Sequence, residues 1–286
     1  MPAILGDRFR RLREAGRITQ RIAGDAIHAD TSKISRLESG HTHFHQDDAA
    51  VLLDLYGVPA DDRARYLTWA QRVNGASWPD YDDTDADSGL DALLCDVPLQ
   101  LVRGYEHGVI PALLQTREYA NAALRMSREE MCENDADAVL ELRMRGQRML
   151  FAQHPPAVWL VVEKTALLRP IVDTAMWHRQ IDHLLTLAEL PHVTVQLLDD
   201  AACGPARTGE SFTYLRFRNF RLRELVRTQQ LSGAICRDLP SETEPYLRTA
   251  DRLAMLAAAP RDSIERISEL RRRAPEPDAQ PGPGAG

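Results

Sequence analysis

Two helix starts joined by a tight link constrain this chain more than any other feature. Thr19 is placed to cap a short helix in which Ile22, Ala23, Ala26 and Ile27 recur at helical spacing. His28-Ala29 forms the link. Asp30 then caps a second helix that carries Ile34 and Leu37 and stops at Ser39-Gly40, a C-cap arrangement. Two short helices so joined cross steeply, and small residues must stand where their backbones approach; Ala23 and Gly24 supply them. With Ile34 and Leu37 turned inward, Thr31, Ser32, Lys33, Ser35 and Arg36 are left on the outer or N-terminal side of the second helix. Small polar and basic residues there suit base edges and phosphates in a DNA major groove.

The flanking residues complete one all-α domain over residues 1–75. Phe9, Leu12 and Arg13 share a face of a first helix that Gly16 is expected to stop. A fourth helix is expected at 47–55, ending before Gly57. A fifth opens at Pro59 and reaches about Val73, with Tyr66, Leu67, Trp69 and Ala70 as its buried side. Residues 1–40 hold eight Lys and Arg against five Asp and Glu, and six arginines (Arg8, Arg10, Arg11, Arg13, Arg17, Arg21) crowd into positions 8–21. Beyond residue 75 the balance is 24 basic to 32 acidic, and the whole chain carries a net charge of −7. A modestly basic head on an acidic body fits a nucleic-acid contact confined to one end, and it excludes a protein that coats nucleic acid along its length.

Residues 75–89 contain five aspartates among Gly and Pro punctuation and mark the domain boundary, giving an acidic linker over 76–89 in which Trp78 and Tyr81 can pack locally. Residues 90–272 read as a mixed α/β (α+β) domain. Strands are expected at 158–162, 193–198, 212–217 and 225–231, and helices at 117–126, 135–151, 173–190, 242–258 and 263–272. Ser241 with Glu244 and Asp262 with Glu265 have the capping-box spacing that would open the last two. Residues 273–286, rich in Pro, Gly and Ala, cannot build a core and are expected to be a disordered tail. Cys95, Cys132, Cys203 and Cys236 form no C-x-x-C pair, so buried free thiols are expected rather than a zinc ribbon or a disulfide scaffold. The chain shows neither a signal peptide nor an apolar run of about 20 residues, and a cytoplasmic location is expected.

Residues 19–40 resemble the XRE-type, Cro/repressor-like helix-turn-helix family. The matching residues are Thr19-Gln20 and Ser32-Lys33-Ile34-Ser35-Arg36-Leu37-Glu38-Ser39-Gly40, and Phe9-Arg10-Arg11-Leu12-Arg13-Glu14 is similar to the family's first helix. The departures are Ala23-Gly24 in place of the usual Leu-Ala, at a helix-propensity cost of about 1 kcal/mol, and His28 where the family prefers Gly. The resemblance implies roles residue by residue. Gln20 touches a phosphate or braces the recognition helix. Thr31, Ser32 and Lys33 contact bases or adjacent backbone, with Ser35 and Arg36 nearby. Arg10 and Arg13 reach phosphates or lie on the solvated surface, and Glu38 braces the fold. In the second domain, Val109-Ile-Pro-Ala-Leu-Leu-Gln-Thr-Arg-Glu-Tyr-Ala120 and Leu190-Pro-His-Val-Thr-Val-Gln-Leu-Leu198 are similar to signatures of actinomycete regulators of the WhiJ-like and antitoxin-like group, with Ala112 standing where Gly is usual. That resemblance implies regulation of development or secondary metabolism, often beside a small partner protein.

No catalytic, cofactor or metal site is assigned. The alternating His41, His43 and His45 read as a polar loop rather than a metal site, and residues 209–213 break the nucleophile-elbow pattern. His178 and His183, five apart, are poorly spaced to share one helix face. Trp159, Trp177, Tyr105 and Tyr214 read as core, with an effector cavity as the alternative. The expected protein is thus a sequence-specific transcription regulator that binds double-stranded DNA as a homodimer, its 31–38 helix in the groove and its 90–272 domain serving an effector, a partner or dimerisation. Two alternatives stay open: a relic helix-turn-helix whose 90–272 domain is an enzyme or metabolite binder, and an antitoxin-like module holding a small protein.

Overall fold

The computed structural model of the chain describes residues 2–74, 97–127, 133–199, 210–230 and 233–273. The acidic linker, the tail beyond Arg273, Cys95, Cys132, Cys203, Trp78 and Tyr81 lie outside them. The chain divides into two compact units. One comprises Met1–Gln100 with Leu215–Thr243, the other Leu101–Tyr214 with Glu244–Gly286.

The first unit opens with five helices: α1 (Pro2–Ala15), α2 (Gln20–Ala26), α3 (Thr31–Glu38), α4 (Gln46–Leu55) and α5 (Ala60–Asn74). Their order and extents follow the pattern of the sequence, because each start and stop has a local cause. Thr19 Oγ1 accepts from the Ile22 amide and Asp30 Oδ1 from the Lys33 amide, so both expected N-caps form. Helix α1 ends through Arg17, which itself adopts the left-handed conformation (φ +55°) beside Gly16. Gly40 turns the chain after α3 at φ +74°, where a Cβ would lie 2.3 Å from the Ala3 amide nitrogen. The core forms where Phe9 stacks on Phe44 at 4.1 Å and meets Tyr56 and Tyr66 edge-on, with Ile4, Leu5, Ile34, Leu37, Leu52 and Leu53 buried around them. Ile22 departs from its expected place: it is 41% exposed, while α2 turns Ala23 and Gly24 inward and Ile27 is buried at its C-cap.

Six strands form a mixed sheet in the order β3-β2-β1-β4-β5-β6: β1 (Leu99–Glu106), β2 (Ala157–Glu163), β3 (Val193–Leu198), β4 (Phe212–Phe217), β5 (Leu225–Gln230) and β6 (Gly233–Arg237). Strands β5 and β6 make an antiparallel pair in the first unit. In the second, β1, β2 and β3 run parallel, Val102 opposite Val158 and Leu160 opposite Val195, with the near-continuous apolar run on β2 that burial on both faces requires. The remaining helices are α6 (Arg117–Ser127), α7 (Glu133–Gln147), α8 (Lys164–Leu168), α9 (Thr174–Ala188), α10 (Pro240–Leu256) and α11 (Pro260–Arg273), with 3-10 turns at Ala112–Leu114 and Arg148–Phe151. Helix α9 packs on α6, α11 and β3. The N-terminal helical domain followed by an α+β domain matches the expected fold class, with corrections in detail. Strands β1 and β6 and helix α8 were not foreseen. The last two helices start at Pro240 and Pro260, the favoured first-turn position for proline, so the capping boxes at Ser241 and Asp262 do not open them.

The two signatures of the second domain are structural fasteners. Gln180 Nε2 donates to the Leu114 carbonyl while its Oε1 accepts from the Thr116 amide, and Gln115 Nε2 donates to the Ile110 carbonyl. Gln196 donates to the Ala254 and Ala258 carbonyls and accepts from Trp159 Nε1. Tyr105, Tyr214 and Trp177 are buried, whereas Trp159 is 38% exposed under the Arg103 guanidinium.

Candidate DNA-contacting surface

The exposed side of α3 is small, polar and basic. Thr31, Ser32, Ser35 and Arg36 are exposed, while Ile34 and Leu37 on the opposite side are each 1% exposed. The helix is held in place by a buried ion pair beneath it. Arg13 Nε and Nη2 donate to the two Glu38 carboxylate oxygens at 2.5 and 3.1 Å, and Arg13 Nη1 donates to the Ile18 carbonyl. Gln20 Nε2 completes the cluster with a 2.9 Å bond to Glu38 Oε2. The bonded carboxylate holds the Arg13 guanidinium above its ordinary pKa against the opposing effect of burial. Burial, aided by the nearby Glu38 charge, also pushes the Tyr56 phenol well above its usual value.

Four of the six expected contact residues therefore stand together on one exposed face. The other two are engaged within the protein. Gln20 takes the bracing position of the two roles implied for it, and the Lys33 amine forms a 2.8 Å ion pair with Asp48 in the first turn of α4. Arg13 is corrected: at 8% exposure it is not a solvated surface residue, and its guanidinium is engaged within the protein as the core of the brace. Arg10 is paired with Glu14 at 2.9 Å.

The link between the helices accounts for both departures from the family pattern. His28 adopts φ +52°, the left-handed conformation that explains the preference for Gly there. A Cβ on Gly24 would lie 2.6 Å from the Ala29 carbonyl oxygen, so the glycine permits the turn that follows it.

Asp7 was not foreseen. It is 4% exposed on α1; one carboxylate oxygen accepts from Arg11 Nε at 2.7 Å and the other from Asn219 Nδ2 at 2.8 Å. The turn bearing Asn219 connects β4 to β5, and nothing in the spacing of the sequence announces a partnership across 212 residues. Next to it lies a cavity of about 240 Å³ whose lining includes Gln20, Ser35, Glu14, Asn219, Arg221 and Leu222.

In the second unit the buried carboxylate is Glu163 at the end of β2, which accepts from the Tyr105 hydroxyl and, at 3.3 Å, from Thr165 Oγ1. The buried thiol is Cys236 on β6 of the first unit. Among the described residues no group of three or more His, Cys, Asp or Glu is placed to hold a metal ion, and no helix is long and apolar enough to cross a membrane.

A short capped helix pair presenting such a face defines a DNA-binding protein of the helix-turn-helix, regulatory type, and a helix-turn-helix domain model matches residues 4–66. The chain belongs to the family defined by a domain of unknown function, DUF5753, whose model matches residues 100–269. No curated protein and no solved structure matches the chain.

Proposed function

We propose that the protein is a sequence-specific transcription regulator that inserts α3 into the major groove of its operator. The observation that carries this reading is the coexistence of exposed Thr31, Ser32, Ser35 and Arg36 with a rigid Arg13–Glu38–Gln20 brace behind them. A base-reading helix must present its side chains in a fixed register, and the brace supplies that register. Arg36 is the strongest base-contacting candidate. Lys33, its charge balanced by Asp48, serves as an adjacent backbone contact once that pair opens. Gln20 acts chiefly by positioning α3.

The protein acts in the cytoplasm as a homodimer on a palindromic or repeated site, since a single module of this size buries too little surface for tight operator binding. The helical domain within 1–75 reads DNA, and the domain within 90–272 receives an effector or partner or holds the dimer. The signatures at 109–120 and 190–198 support membership of the WhiJ-like and antitoxin-like group and a role in development or secondary metabolism.

The test is a mobility-shift titration against DNA from upstream of the gene, at two salt concentrations and with competitor DNA. Salt-sensitive binding that survives competitor is expected, with Arg36→Ala losing about 1–3 kcal/mol and Lys33→Ala less. Binding that competitor abolishes, or an Arg36→Ala variant as tight as wild type, would remove α3 from the reading role.

A further inference from the structure

The β4–β5 turn is strongly basic. Residues 216–223 are Arg-Phe-Arg-Asn-Phe-Arg-Leu-Arg, four arginines in eight residues of a chain whose net charge is −7. The nearest acidic residue in sequence, Glu224, is taken by Arg216 at 2.6 Å. Arg218, Arg221 and Arg223 are exposed, and among the described residues Arg221 and Arg223 form no ion pair. Phe220 at the tip is 90% exposed.

This turn is held in a fixed place. The Leu222 amide donates to the Asn219 carbonyl and the Arg221 amide to Asn219 Oδ1, which closes a tight turn. Leu222 is buried, and Asn219 is bonded to Asp7 of α1. Asn219, Arg221 and Leu222 line the same cavity as Gln20 and Ser35, so Arg221 stands beside α3, with Arg223 two residues on in the same turn. Acidic groups in that lining do not quench them, because Asp7 has both oxygens occupied, Glu14 is paired with Arg10, and Glu38 is bonded to Arg13 and Gln20.

We propose that the 218–223 turn is a second DNA contact, a basic wing whose Arg221 and Arg223 grip backbone phosphates flanking the groove that α3 enters. The inference rests on the reading of α3 as the groove-entering helix. Duplex DNA presents a negative charge about every 1.7 Å of its axis, so exposed guanidinium groups fixed beside an inserted helix meet phosphate whatever the base sequence. The exposed Phe220 between arginines supplies the apolar contact that DNA-binding arms often set against the sugar edge or a base step.

The experiment compares the full chain with R221A/R223A and R221K/R223K, by fluorescence anisotropy across a salt series. The probes are the upstream duplex and a scrambled duplex of the same composition. The alanine pair is expected to bind both duplexes about tenfold more weakly, with the slope of log affinity against log salt reduced by about 1.8 and the ratio between duplexes unchanged. The lysine pair restores most of the slope, since a phosphate accepts either cation. Unchanged affinity and slope in the alanine pair, with wild type still discriminating the duplexes, would overturn the wing and leave α3 as the reader. Tighter binding by the alanine pair, or no rescue by lysine in a folded variant, would overturn it equally. Wild type that binds neither duplex would sink the reading of α3 and the wing together.

Discussion

At the scale of single residues, the Arg13–Glu38 pair sets the strength of the N-terminal domain. Both side chains are buried, and removing one leaves the other charged in a site it cannot escape. Glu38→Ala is accordingly expected to destabilise by about 3–5 kcal/mol, read as a fall in the denaturant midpoint, and DNA binding should weaken alongside because α3 loses its register. Tyr56 adds a pH dependence of definite sign. The unfolded chain releases the phenolic proton near its ordinary value of about 10, whereas the folded domain retains it to higher pH. The contribution is therefore intact below about pH 10 and lost as pH rises above it. Urea titrations from pH 9 upward are expected to show stability falling, and Tyr56→Phe should flatten that fall. A Tyr56→Phe profile identical to wild type would assign the alkaline loss elsewhere. Glu38 as a brace was legible from its place in the motif. The burial of Arg13 was not, because an arginine among five others in positions 8–21 looks like one more surface charge until its partner is placed.

At the scale of elements, the turn between α2 and α3 shows how a sequence can depart from its family pattern and keep the geometry. His28 bears the strain of a left-handed backbone, about 1–2 kcal/mol for a residue with a side chain. His28→Gly relieves that strain but returns entropy to the unfolded chain, so a net gain of about 0.5–1 kcal/mol is expected in thermal unfolding. Gly24→Ala should lose about 1–3 kcal/mol despite its better helix propensity, since its Cβ meets a backbone oxygen. A stabilised Gly24→Ala variant would show that propensity outweighs the close approach. The helices were legible because their caps and stops are local: Thr19, Asp30 and Gly40 each act within a few residues. Strand β1 escaped because Gln100, Arg103 and Gly104 break its apolar run, and Arg103 is accommodated only by Trp159 and Asp251, far off in sequence. Strand β6 is five residues long and is recognisable only beside β5.

At the scale of the whole chain, the compact units do not follow the order of synthesis. The N-terminal helices share a unit with Leu215–Thr243, and the Asp7–Asn219 bond ties α1 to the β4–β5 turn within it. Asn219→Ala leaves a buried carboxylate oxygen short of a donor and is expected to cost about 1.5–3 kcal/mol, read as a fall in the denaturant midpoint. An Asn219→Ala chain as stable as wild type would mean that water replaces the amide. This partnership was the least legible part of the candidate surface, because periodicity, caps and motifs all describe neighbours in sequence. The same bond bears on the protein while it is still being made. A ribosome adding about 5–20 residues per second needs about 10–40 s to go from Asp7 to Asn219. Throughout that interval the nascent helices are on the ribosome without the segment that completes their unit, so a regulator of this design matures from the far end of its message, and a prematurely terminated chain releases a reading head that lacks its mooring.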